Sequence, residues 1–175
     1  MKNWHNFKAY KNMNKKYYLL FALFISVISV FAQKKDENEI KKMTADFEAN
    51  KTKLELPLIN SKVDFKTLYL DENRKPLRGV DIISKDSSNF VSPANGYVTA
   101  VFPDEEKYFS VIVCHGDYFI VYSHVEKAFV TSMQNITKGQ YIGSAPLDKQ
   151  GNRRLHIEIW YNSDKLWPPD WFKKS

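Results

Sequence analysis

The stretch YFSVIVCHGDYFIVYSHV, residues 108–125, decides the fold. Two runs rich in β-branched and aromatic residues, YFSVIVCH (108–115) and YFIVYSHV (118–125), flank Gly116-Asp117. A Gly-containing dipeptide between two such runs signals a tight antiparallel hairpin. Along the second run Tyr118, Ile120, Tyr122 and His124 fall on one face, so Tyr122 and His124 are expected to line one cavity. Two further runs read as strands, YVTAVF (97–102) and RLHIEIWY (154–161). In the latter, Arg154, His156 and Glu158 alternate with Leu155, Ile157 and Ile159, giving one polar and one apolar face. Asn95-Gly96 and Pro103-Asp104 mark turns, and Lys138 to Gly143 reads as a turn into a short strand. No helical period follows residue 56. Residues 57–175 are therefore expected to form an all-β domain.

Upstream the pattern changes. Residues 33–56 are highly charged, with Ile40, Met43 and Phe47 at helical spacing, and read as a charged helical linker. Residues 1–32 hold Lys2, Lys8, Lys11, Lys15 and Lys16, no acidic residue, and the weakly polar to apolar run YYLLFALFISVISVFA (17–32). A basic stretch, an apolar run and small residues at Val30 and Ala32 make the layout of a secretory signal peptide, with an uncleaved N-terminal anchor as the alternative. The rest of the chain is then expected beyond the cytoplasmic membrane, in the periplasm or cell envelope, and to meet membrane only through this segment.

The net charge of +6 does not indicate a nucleic-acid partner. Removing the five N-terminal lysines from 26 basic residues leaves 21 against 20 acidic ones, so the remainder carries no basic excess. The single Cys114 excludes an internal disulfide and any Cys-rich zinc motif.

Polar residues interrupting the strands are the candidate site: Asp81 in RGVDII, His124 and His156. Asp and His from separate segments suit a metal hydrolase, although isolated strand histidines are more often structural. The segments GVDI, SPANGYVTAVF, VIVCHGDYFIVYSHVEK, ITKGQYIGSA and LHIEIWYNSDKLWPPDWF resemble, in order, those of the lysostaphin/LytM-type peptidoglycan metalloendopeptidases. The resemblance spans residues 57–172. It implies a compact two-sheet antiparallel β-domain with an open groove, a zinc cofactor, and cleavage of cell-wall peptides.

The resemblance also assigns positions. The family's three zinc ligands fall on Leu77, Asp81 and His156, and its two further catalytic histidines on His124 and Arg154. His115 matches a non-ligand position and reads as structural. Leucine has no lone pair, and a guanidinium cannot act as a base. Arg154 is expected to fork onto Asp81 and supply the charge of the missing metal, with His156 a relic ligand bonded to Asp81. Glu158 and Tyr122 would line the groove. The expectation is a domain without bound zinc and without catalysis, acting on peptidoglycan as a binding module or on a partner wall hydrolase as its activator. The alternative is an active zinc endopeptidase with an atypical ligand set. A phosphate-carrier role for His124 and His156 conflicts with the signal-like N-terminus.

Overall fold

Alternation along the strands sorts the apolar residues onto one side of a large antiparallel sheet. The computed structural model describes residues 37–65, 79–104 and 107–173. The expected signal segment (1–32) and Leu77 lie outside the described residues. In chain order the elements are α1 (Glu37–Ala49), β1 (Lys62–Asp64), β2 (Gly79–Ser84), β3 (Asn89–Val91), β4 (Gly96–Pro103), β5 (Phe109–His115) and β6 (Tyr118–Val125). They continue with β7 (Lys127–Ala128), β8 (Asn135–Ile136), β9 (Tyr141–Ser144), β10 (Arg153–Tyr161), β11 (Asp164–Leu166) and a 3-10 turn at Pro168–Asp170.

The large sheet runs β1-β2-β10-β6-β5-β4-β8, with β11 paired to β10; β3-β9-β7 form a second, small sheet. The expected two-sheet antiparallel β-domain is what the chain builds. Register places Ile157 opposite Val80 and Tyr122, Ile159 opposite Ile120, and Leu155 opposite Ile82. All of these are fully buried, each aliphatic side chain contributing about 1.5–3 kcal/mol in transfer free energy. Phe90 and Ile142 of the small sheet close the core from the other side, the Phe90 ring lying 5.0 Å from that of Tyr122.

Tyr122 is thus a core residue and not a groove residue. Its hydroxyl has no hydrogen-bond partner among the described residues, and burial pushes its pKa well up. The simple alternation failed here for two reasons. A register shift between Phe109 and Val111 turns the β5–β6 pairing, and His124 takes a left-handed φ of +57°. His124 therefore does not continue the face of Tyr122.

Helix α1 docks on the domain. Phe47, on its apolar stripe, is buried against the rings of His115 (4.7 Å) and Trp171 (5.1 Å). Thr44 Oγ1 accepts the Asp117 amide (2.9 Å), and the Tyr118 hydroxyl donates to Glu48 Oε1 (2.5 Å). The helix seats against the β5–β6 turn, where Gly116 has φ +78° and a Cβ would collide with Thr44. Only glycine satisfies both demands.

His115 is buried beneath this helix, its Nδ1–H donating to the Asn95 carbonyl at 2.7 Å. Burial pulls the imidazole down to about 4, the Asn95 bond opposing only in part. The folded-state pKa is therefore depressed, and the unfolded chain takes up the proton first. The stability involved is fully present above pH 6.5 and lost as pH falls towards 4, about 2 kcal/mol of it by pH 5. Urea denaturation at pH 7 and pH 5 should show that loss in the wild type and a flatter dependence in His115→Gln. Equal slopes would mean His115 is not buried neutral.

Candidate functional site

The polar face of β10 meets β2 and β1 in register. Asp64 pairs with Asp81, Asp81 with His156, and His156 with Ser123 on β6. These four side chains therefore line up across four neighbouring strands, with Arg154 and Glu158 two residues to either side of His156. Gly79 faces Glu158 across β2–β10, and a Cβ there would lie 2.6 Å from His156 Nε2. Glycine at 79 is what lets the imidazole lie over the strand.

Among the described residues, three carboxylates surround Arg154. Its Nη1 donates to Asp64 Oδ2 and to Asp81 Oδ2, both at 2.9 Å. Its Nε and Nη2 lie 3.1 and 3.0 Å from Asp148 Oδ2. Burial would lower the guanidinium pKa, but its hydrogen bonds to Asp64, Asp81 and Asp148 raise it well above its ordinary value. Asp148 is held by a turn: its Oδ1 accepts the amides of Gln150 (2.9 Å) and Asn152 (2.8 Å). Burial alone would raise the Asp148 carboxyl; the Asn152 donors, Arg154 and Gln150 together hold it below its ordinary range.

His156 Nδ1–H donates to the second Asp81 oxygen at 2.9 Å, and its Nε2 faces Glu158 Oε1 at 3.6 Å. Burial would lower its pKa, yet Asp81 and Glu158 raise it to about 9. The ring is an imidazolium at neutral pH. Glu158 also accepts from Lys165 Nζ (2.6 Å) and Trp160 Nε1 (2.9 Å). Burial opposes its ionisation, but His156 and Lys165 hold its carboxyl at about 2.

Of the residues expected at the site, Asp81, Arg154, His156 and Glu158 are brought together. The contacts of His124 go elsewhere: it is exposed, its amide reaches Asp104 at 3.5 Å, and its ring meets that of Tyr108 edge-on at 6.0 Å. Three participants were missed from the sequence, Asp64, Asp148 and Lys165. Asp64 is 90 residues from Arg154 and arrives only through sheet register. The one local signal was Asp148 in a turn-like DKQGN stretch just before an arginine.

A catalytic zinc needs three protein ligands and an open position for water. As placed, these side chains do not fit one. Both Asp81 oxygens accept bonds from cations, and a protonated His156 offers no lone pair. Among the described residues no group of three or more His, Cys, Asp or Glu side chains is arranged to hold a metal.

Peptidase family M23 matches residues 75–168, more than half of the chain. Solved structures share the fold at low identity. SpoIIQ in the SpoIIQ–SpoIIIAH pore-forming complex superposes with a TM-score of 0.56 at 17% identity, over 69% of this chain and 91% of that one. Lysostaphin gives 0.53 at 17%, over 66% of this chain and 54% of lysostaphin. Helicobacter pylori Csd3 gives 0.52 at 22%, over 70% of this chain and 35% of Csd3. No curated protein matches by sequence. With the two-sheet fold, the ordered motifs and the strand that carries His156 all in place, the chain belongs to peptidase family M23.

Proposed function

We propose that this M23 domain does not hydrolyse peptidoglycan and serves at the cell envelope as a recognition or regulatory module. It would bind wall peptides or a partner wall hydrolase. One observation carries the reading: the Arg154 guanidinium rests on Asp81, a family ligand position, at 2.9 Å. Placing a dication on Asp81 would require expelling that guanidinium and deprotonating His156 together. The fixed cation also repels the ion by Coulomb's law in a site of low dielectric. The signal-like run at 17–32 supports an envelope location. SpoIIQ, which shares the fold, was solved in complex with a second protein; this supports a role through partners.

Purified chain incubated with peptidoglycan, with and without chelator, tests the proposal. The expected result is no release of soluble fragments in either arm and substoichiometric zinc in the protein. Chelator-sensitive hydrolysis would establish the opposite, an endopeptidase with an unusual ligand set. Affinity capture from envelope extract, run beside a peptidoglycan pull-down, separates the two modes. Retention on wall material alone supports recognition, and a captured hydrolase supports activation.

A further inference from the structure

We infer that Arg154 is a built-in cross-link, a side-chain cation that reinforces the backbone pairing of β1, β2 and the turn at 147–152 around β10 and so sets the shape of the polar end of this face. This deepens the reading above and rests on it, since the tie exists only while no ion occupies Asp81. Of its anchors among the described residues, Asp64 and Asp148 lie outside the family's ligand positions. The guanidinium is thus held by more than the vacated metal set.

The geometry is that of a clasp. Asp64 ends β1, three residues long and, among the described residues, an edge strand of the large sheet paired to β2 alone. A strand that short holds its place weakly by backbone pairing alone. Asp148 is the hub of the turn at 147–152, whose ends are joined by the Leu147–Arg153 bridge and by the Arg154 amide on the Pro146 carbonyl (3.0 Å). Asp81, between them on β2, is almost fully buried. The Nη1 edge holds β1 and β2, and the Nε–Nη2 edge holds the turn. Lysine, a point cation without the fork, could not face both directions at once.

Hydrogen exchange of the full chain, in chelator and without substrate, reads the tie segment by segment. In Arg154→Ala, exchange at residues 62–64 and at the amides of Gln150 and Asn152 should rise roughly tenfold or more, the loss expected for one charge-assisted bond at each end. The β5–β6 hairpin should stay protected. Arg154→Lys should retain only part of the protection. Millimolar ethylguanidinium, but not sodium chloride, should restore protection in Arg154→Ala by refilling the cavity. Asp148→Asn provides an asymmetric check if the alanine variant does not fold: it should loosen 147–152 and leave β1 protected. Unchanged exchange at both segments in Arg154→Ala, or equal loosening of both in Asp148→Asn, would overturn the inference. Activity is not read, so a hydrolytic wild type would fail the earlier test without deciding this one.

Discussion

Replacing Arg154 by methionine is expected to destabilise the folded domain by about 3–5 kcal/mol, the usual cost of removing one partner from a buried ionic cluster. Methionine preserves much of the stem's packing and removes the charge. It strands Asp81, 2% exposed at its side chain, with Asp64 and Asp148, each 11% exposed. Three carboxylates would then face one another, with His156 as a counter-charge on Asp81. An exposed arginine on a strand would cost within about 0.5 kcal/mol, so the two cases separate cleanly by urea denaturation. Adding Asp64→Asn and Asp148→Asn to the methionine chain should recover part of the loss. Measured beside the Asp64→Asn, Asp148→Asn chain that keeps Arg154, the four stabilities close a cycle that gives the coupling of the guanidinium to the two carboxylates. A loss near zero would mean the guanidinium is solvated and the clasp contributes nothing.

The second large effect runs the other way. Leu77→His with Arg154→His restores imidazoles at the two positions where the family has them. Zinc affinity should rise by more than about 100-fold over wild type. Losing even an outer partner of a ligand costs ~10–100-fold, and here a first ligand is supplied while a competing cation is removed. The carboxylates of Asp64 and Asp148 would reinforce the gain, because they would face a dication in place of a guanidinium. With Arg154 gone, His156 also loses a competitor for Asp81, and its proton must leave for the ion to bind. Zinc affinity should therefore strengthen as pH rises, because Asp81 and Glu158 hold the His156 proton on above its ordinary pKa and the ion must displace it. Calorimetric titration at two pH values measures both effects. No gain would place the family's ligand positions elsewhere in this chain.

Much of the fold could be read in advance because a half-buried strand writes itself as a period of two. The runs at 97–102, 108–115, 118–125 and 154–161 lie within one or two residues of β4, β5, β6 and β10. The Gly116-Asp117 turn joined the strands it was expected to join. Tyr122 shows where that logic stops. Alternation gives two faces and not which is inside, and a left-handed residue at His124 ends the period without a sequence mark. The site divides in the same way. Arg154 on Asp81 and His156 on Asp81 follow from ordered motifs that bring β2 beside β10. Asp64 and Asp148 do not, since one depends on the register of a three-residue strand and the other on how a turn aims its carboxylate. The charge of His156 was likewise invisible, being set by two carboxylates that only the fold brings to its two nitrogens. Leu77, the departure that first argued against zinc, lies outside the described residues.

In the proposed reading a guanidinium occupies the place of an ion. Crystals of the wild-type chain grown with zinc at neutral pH, with diffraction recorded above and below the zinc absorption edge, test it most directly. The expected map has no anomalous peak between Asp81 and His156, and Arg154 density continuous with the carboxylates of Asp64, Asp81 and Asp148. A strong peak bonded to Asp81 and His156, with Arg154 swung away, would contradict it.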